Sequence, residues 1–278
     1  MSQDLPKPAT PRADVAPRLF VWPERLLFLG RLEQVASHRH AADVCLVALS
    51  GALRVQISPN EEWWQGRSAV IPAGCVHALD LRGSYVAVLY NDAHRPCYRL
   101  LSARDRREPV LGLPTEAALQ KALQRFGRTF DEPGSTALIE RSLGESLQVY
   151  SDAPQLDRRI KKIIERIQED LEQSPSLETL AAIAGVSASR LQHLFITETG
   201  VPLRRFRTWV RFRSALLAIA QGHSFTDAAL ASGFANSAHF SHAFKAMFGV
   251  PARNVMTGAP AGSNIVFLPD SSPKNPSP

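Results

Sequence analysis

The sequence predicts an α+β protein with several domains: a β-rich N-terminal domain with a helical hairpin, and an all-α C-terminal domain. Two observations support this prediction. Short apolar or alternating runs fill the region from Leu19 to Tyr90, whereas helical spacing of apolar residues begins near Glu116 and continues to Gly249. A chain of 278 residues is also long enough for two domains of ordinary size, each with its own core.

Short strands are predicted throughout the N-terminal region. Turn residues such as Gly51, Gly74 and Gly83 separate them. Several short strands at this spacing are typical of a barrel or a sandwich. We place this domain at residues 19–100, after a Pro-rich segment at residues 1–18 that is expected to be disordered. The predicted strands run over residues 44–49, 53–57, 68–71, 78–81 and 85–90.

Two helices are predicted in the region 101–153, over Glu116–Phe130 and Ala137–Tyr150, with Pro133-Gly134 between them. They are expected to form an antiparallel hairpin. The apolar face of the second helix is either a dimer contact or a face that packs against the β domain, and the sequence leaves both open.

Composition separates the two halves of the chain. Residues 155–257 hold 13 Lys+Arg and 8 Asp+Glu, a net charge of +5, whereas residues 1–154 hold 18 and 17. A basic domain favours contacts with the phosphates of DNA.

No run approaches the ~18–20 apolar residues of a membrane span, and no signal peptide is recognisable. Three cysteines, Cys45, Cys75 and Cys97, give no even disulfide framework, so we expect a cytoplasmic protein with reduced thiols.

An internal repeat lies in the C-terminal domain, placed at residues 154–257. Each copy has a glycine, Gly185 or Gly233, that allows one helix to end with positive φ, followed by a residue that caps the next helix. This is the pattern of a helix-turn-helix unit. Three positions recur 49 residues later, in the pairs Ser187 and Asn236, Phe195 and Phe244, and Pro202 and Pro251.

The second helix of each copy is expected to present polar side chains to the major groove. Between the copies, Leu203–Gln221 predicts an arginine-rich helix about 28 Å long, which would place two recognition helices near one DNA turn, ~34 Å, apart. A helical repeat that binds no nucleic acid is the other interpretation. The candidate DNA contacts are Ser189, Arg190, Gln192, His193, Ser237, Ala238, His239, Ser241 and His242, with Arg211 as a phosphate contact.

Residues 156–255 resemble the DNA-binding domain of the AraC/XylS family. The most specific match is the stretch 228–245, followed by Phe248-Gly249-Val250-Pro251. The sequence departs from the family pattern at Ala252, where the usual Tyr-Arg ending is absent, and at Ser189, where a bulky residue is usual. The resemblance implies a transcription regulator, typically an activator, with operator DNA and RNA polymerase as partners and dimerisation through the helical hairpin.

Two short motifs lie in the N-terminal half: one consists of Gly66, Pro72, Gly74 and His77, and the other is His38-Arg39-His40. They resemble the second and the first motif of a cupin barrel. Residues two apart on a strand face the same side, so His38 and His40 are expected to meet His77. Three imidazoles with an open position suit a transition metal.

Cys45 stands where the cupin family has its acidic ligand. The predicted metal-ligand set is therefore His38, His40, Cys45 and His77, which favours zinc or copper(I) over iron(II). Cys75 is an alternative ligand or redox thiol. The other interpretation is that the histidines are only hydrogen-bonded and bind no metal.

The combined prediction is a transcription regulator, not an enzyme, controlled by a small ligand or metal in the N-terminal domain. The rival class is a cupin-type metalloenzyme fused to a DNA-binding domain, and the lost carboxylate counts against it. A purely architectural DNA binder is disfavoured by the dedicated β domain. Residues 258–278 are expected to be disordered, apart from the apolar run 265–268, a candidate for docking on the fold.

Overall fold

The computed structural model describes residues 16–22, 25–92, 108–146, 156–171, 174–256 and 264–268. Several features of the sequence lie outside the described residues. They are the segment before residue 16, Cys97, the predicted second helix beyond residue 146 with the linker that follows it, and the tail after residue 268.

The described N-terminal residues form two β-sheets, and the final strand of the larger sheet comes from the C-terminal end. The larger sheet has the order β10-β7-β4-β9-β2-β1-β11, and the smaller has the order β3-β8-β5-β6. This arrangement confirms the predicted β-rich domain and gives bounds to the strands between residues 18 and 39, which were not predicted one by one. The strands are β1 (Arg18–Val21), β2 (Arg25–Arg31), β3 (Gln34–Arg39), β4 (Ala42–Ala48), β5 (Leu53–Gln56), β6 (Trp64–Gly66), β7 (Ser68–Ile71), β8 (Val76–Asp80), β9 (Tyr85–Asp92), β10 (Val110–Leu111) and β11 (Ile265–Phe267).

The larger sheet is covered on both faces, which explains the continuous apolar run of β4. Val44 and Leu46 point into the core that the β domain shares with the C-terminal helices. Cys45 and Val47 point to the opposite face, into a second core beneath the helical hairpin. This alternation along one strand decides which β4 side chains can reach each domain.

Eight α-helices lie among the described residues. The first two form the predicted hairpin and cover one face of the larger sheet, where Leu119, Leu123 and Phe126 are buried. Ile139 and Leu143 are buried in the same core, so the apolar face offered above as a dimer contact is used within the chain. The helices are α1 (Glu116–Thr129), α2 (Ser135–Ser146), α3 (Arg158–Glu169), α4 (Leu177–Ala184), α5 (Ala188–Thr199), α6 (Leu203–Ala220), α7 (Phe225–Ala231) and α8 (Ser237–Phe248). In the part of the chain described here, no helix combines the length and apolar character needed to cross a membrane.

The two helix-turn-helix units are α4–α5 and α7–α8. Gly185 ends α4 with a φ of 65°, and the Ser187 hydroxyl accepts the Arg190 N–H at the start of α5. In the second unit Gly233 has a φ of 81°, and Asn236 Oδ1 accepts the His239 N–H at 2.7 Å. The helix ends therefore lie where the glycine and capping pattern predicts them.

The apolar run 265–268, the candidate for docking, lies on the fold, and Ile265–Phe267 forms a strand. β11 pairs in parallel with β1, with Leu19 opposite Ile265. Ile265 is buried in the shared core and Leu268 in the core beneath the hairpin. The Asn264 side-chain amide donates to the carbonyls of Pro17 and Val255. The described end of the chain is thus attached to the first strand by apolar burial and hydrogen bonds.

Candidate DNA-binding and effector sites

The first recognition helix, α5, buries one face and exposes the other. Leu191 and Phe195 lie in the core. All four candidate contacts on this helix, Ser189, Arg190, Gln192 and His193, are exposed. The helix can therefore present hydrogen-bonding side chains to an external partner without unfolding any packed residue.

The second recognition helix, α8, has the same division. Phe240 and Phe244 are buried, whereas Ala238, His239, Ser241 and His242 are exposed and Ser237 is half-buried. His239 Nδ1 accepts the Ala235 N–H at 3.3 Å. In the neutral ring the proton is consequently on Nε2, which can act as a donor towards a base edge or a phosphate.

Several arginines of the predicted arginine-rich helix, α6, are hydrogen-bonded or partly buried within the chain. Arg205 donates to the Arg39 carbonyl at 3.0 Å, and Arg207 donates to the Pro175 carbonyl. Arg211 is half-buried, with its guanidinium close to Gly233 in the turn of the second unit. Its role as a phosphate contact remains a prediction, while Arg204 is exposed.

A buried ion pair joins α6 to the β domain. Arg213 donates to Asp92 at the end of β9, and the Trp209 indole N–H donates to the other oxygen of the same carboxylate. Asp92 has no exposed surface. Nothing in the sequence pattern predicted these residues, because the pairing joins positions 121 residues apart.

Three histidines come together where the smaller sheet meets the C-terminal helices. His38 and His77 are cross-strand neighbours on β3 and β8. The nearest ring nitrogens of His38 and His40, both Nε2, lie 2.8 Å apart. All three rings are buried, and their ligand atoms lie within 4.8 Å of one another. This confirms the predicted meeting of the three side chains.

Backbone carbonyls fix the proton positions of two of these rings. His38 Nδ1 lies 2.7 Å from the Ala36 carbonyl, and His77 Nδ1 lies 3.1 Å from the Cys75 carbonyl. A carbonyl can only accept, so both Nδ1 atoms carry protons and neither Nε2 atom does. The lone pair of His38 Nε2 then accepts the Nε2–H of His40 across the 2.8 Å contact, whereas the lone pair of His77 Nε2 has no hydrogen-bond partner. Burial lowers the pKa of His38 and that of His40, and it lowers the pKa of His77 to about 3. The rings are therefore neutral, the form that binds metals.

The histidine triad, His38, His40 and His77, fits a transition metal. His77 Nε2 and His40 Nδ1 are buried without a hydrogen-bond partner. Imidazoles whose second nitrogen donates to a carbonyl are the usual arrangement around a bound metal. The triad could thus hold an ion, with His38 and His77 already in the tautomers that present Nε2.

Cys45 does not belong to this group, which corrects the four-residue prediction. It points to the opposite face of β4, into the core beneath the hairpin. Burial raises the pKa of its thiol to about 12, so it stays protonated. Cys75 is half-buried, and burial together with the nearby Glu61 raises the pKa of its thiol. The spacing argument failed because it ignored which side of β4 each residue faces.

An apolar cavity lies beside the triad, between the β domain and the C-terminal helices. His38 and His40 line it on the β side, and Leu216, Phe244 and Phe248 line it on the helical side. No Lys, Arg, Asp or Glu is among the described residues of its lining. Its free space is about 30 Å³, room for one or two water molecules.

The two helix-turn-helix units, their linking helix and the β-rich N-terminal domain define a two-domain helix-turn-helix protein. A family model described as a helix-turn-helix domain matches residues 180–257. The chain is 28% identical over 196 residues to the transcriptional regulator MxiE of Shigella flexneri, covering 70% of this chain and 83% of MxiE. It is 24% identical over 163 residues to the regulator GbdR of Pseudomonas aeruginosa, covering 55% of this chain but only 44% of GbdR. Both relatives are transcriptional regulators.

Solved structures of ToxT from Vibrio cholerae share the fold of both domains. An apo ToxT variant superposes with a TM-score of 0.61 at 14% identity, covering 83% of this chain and 96% of ToxT. Wild-type ToxT, solved with a bound unsaturated fatty acid, superposes with a TM-score of 0.58 at 13% identity. The α+β arrangement of a β-rich domain and a helical helix-turn-helix domain is therefore shared over most of both chains.

Proposed function

We propose that this protein is a DNA-binding transcription regulator that reads an operator with α5 and α8. The observation that carries this proposal is that both recognition helices expose polar faces on one chain. They are linked by the 18 residues of α6, about 27 Å of helix. One protomer can then address two successive major grooves, which lie ~34 Å apart.

We propose further that an effector at the junction between the two domains controls DNA binding. The cavity beside the triad has walls from both domains. Because its free space is so small, any ligand larger than a few waters must move one wall against the other. The apolar lining favours an apolar small molecule, and the fatty acid bound by ToxT supports this class of ligand.

A metal at the histidine triad is a second candidate effector. Three neutral imidazoles suit zinc, but they also suit other imidazole-binding ions. Copper(I) was favoured by the thiol of Cys45, and this argument no longer applies because Cys45 is not in the triad. A bound ion would supply a fixed positive charge and an open coordination position where His38, His40 and His77 now supply only neutral groups.

RNA polymerase and a second copy of the chain are proposed partners, with activation as the proposed direction. Since Ile139 and Leu143 are buried within the protomer, a dimer contact on α2 would have to use its exposed side, where Leu138 lies. Light scattering at micromolar concentration distinguishes a dimer from the 30.5 kDa monomer.

The test of the proposed function is selection of genomic DNA fragments by the purified protein, followed by sequencing. The recovered sequence is called the selected operator below. Gln192→Ala should weaken its binding by about 1–3 kcal/mol and relax the base preference at one position. Gln221→Ala, at an exposed position just after α6, is the matched control. Failure to recover any sequence in preference to random DNA would contradict the proposal.

A further inference from the structure

Each recognition helix is held against the β domain at its C-terminal end. Gly249 ends α8 with a φ of 71° and lies on β3, where a Cβ atom would stand 2.6 Å from Val35 Cγ1 and 2.7 Å from His38 Nδ1. Gly200 ends α5 with a φ of 77°, and a Cβ there would stand 2.9 Å from the Ala73 carbonyl oxygen. Only glycine fits these two contacts, which we call the α8 seat and the α5 seat.

The segments that form the seats also supply the triad. The α8 seat consists of Val35, Ala36 and His38 on β3. The α5 seat is the turn at Ala73, which leads into β8 and His77. In addition, the Phe248 ring of α8 packs against the ring of His40, with centroids 5.6 Å apart. The same segments of the β domain therefore carry the triad histidines and contact the ends of the recognition helices.

The nitrogens of His38 and His40 are too close together to share a zinc ion in their present positions. His38 Nε2 and His40 Nε2 lie 2.8 Å apart, whereas two imidazole nitrogens that share a tetrahedral zinc lie about 3.3 Å apart. The two rings must therefore separate when they share an ion. Since Gly249 lies against His38 and Phe248 lies against His40, this separation presses on the end of α8.

We propose that loading the triad with zinc moves α8 off its seat and thereby increases the affinity for operator DNA. This inference rests on the proposed function. With both seats occupied, α5 and α8 are fixed to the β domain and cannot adjust separately to successive major grooves. Releasing α8 enlarges the population that can bind both grooves. By linkage, the selected operator raises the affinity for zinc by the same factor.

The first experiment measures the dissociation constant for the selected operator in wild-type protein, with Zn²⁺ or with a chelator. We expect zinc to tighten binding by roughly 5- to 150-fold, the usual range of allosteric coupling, and Mg²⁺ to have no effect. Specific DNA binding that zinc leaves unchanged or weakens would overturn the inference while leaving the proposed function intact. Absence of specific binding in both conditions would instead count against the proposed function.

The second experiment disrupts the α8 seat by substitutions on either side of the contact, one at the end of α8 and one on β3. Gly249→Ala should bind the selected operator tightly without zinc and lose the zinc response. Gly134→Ala is its matched control, because Gly134, between α1 and α2, also has positive φ, 84°, but its Cβ would meet nothing within 4 Å. It should respond to zinc like the wild type.

Val35→Ala covers the case in which Gly249→Ala does not fold, because it weakens the seat without changing α8. It should also raise affinity in the absence of zinc. Val55→Ala is its control, since Val35 and Val55 are both buried and both pair with Leu79. His77→Ala removes a ligand without touching α8 and should lose the zinc response. A full zinc response in both Gly249→Ala and Val35→Ala would overturn the coupling through the seat.

Discussion

At the scale of single residues, the junction between the domains depends on buried polar groups with specific partners. Asp92 accepts hydrogen bonds from Arg213 and Trp209 in a place without access to solvent. A buried charge is tolerated only when it is paired, because isolating it from water costs several kcal/mol. The pair therefore favours one placement of α6 on the end of β9.

Asp92→Asn should lower the free energy of unfolding by about 3–5 kcal/mol, since it leaves the Arg213 cation buried without its counter-charge. Urea denaturation monitored by circular dichroism measures the change. Glu169→Gln is the control, because Glu169 pairs with Arg166 at the surface and such pairs contribute about 0–1 kcal/mol. A loss of similar size in the two variants would contradict the role given to Asp92.

The triad makes stability depend on pH in a defined direction. Burial, with a smaller contribution from His38, lowers the pKa of His77 from 6.5 to about 3. The unfolded chain takes up a proton below pH 6.5 and the folded chain does not. The stabilisation is therefore complete above pH 6.5 and is lost as the pH falls towards 3.

Between pH 7.5 and 5.5, with a chelator present, His77 alone should reduce the free energy of unfolding by about 1.4 kcal/mol. Denaturation curves at the two pH values test this value. His77→Gln should show a decrease smaller by that amount, whereas His223→Gln, at an exposed position, should behave like the wild type. Equal decreases in all three proteins would show that His77 is not kept neutral by burial.

At the scale of elements, the sequence predicts helix ends, which depend on local signals, but not contacts between residues far apart in the chain. Glycine and capping residues fix the ends of α4 and α5 through contacts within a few positions, so Gly185 and Ser187 were sufficient to predict them. The place of Cys45 depends on which face of β4 packs against the hairpin, and the partner of Arg213 lies 121 residues away. Such contacts leave no periodic trace in a single sequence.

β11 gives an element-scale prediction. A chain that ends at residue 263 loses the pairing with β1 and the burial of Ile265 and Leu268. We expect it to be less stable by roughly 2–5 kcal/mol, the usual cost of losing buried aliphatic side chains. A chain that ends at residue 268 keeps the strand and should match the full-length protein in urea denaturation. Equal stability of both truncated chains would contradict the contribution of β11.

At the scale of the whole molecule, the central claim is that one protomer reads two major grooves with α5 and α8, while the β domain sets how freely it does so. The exposed faces of the two helices and the α6 link between them support the first part. The second part is supported by the two seats, the triad and the cavity. Each of them lies where the β domain contacts the C-terminal helices, so that binding of an effector there can change the position of α5 and α8.

The most direct test of the central claim is hydroxyl-radical footprinting of the protein on the selected operator. We predict two protected segments for each protomer, separated by about one helical turn, roughly 10 base pairs. Gln192→Ala should weaken protection mainly in one segment, and His239→Ala should do so mainly in the other. A single protected segment for each protomer, or loss of both segments to the same degree in either variant, would contradict the account.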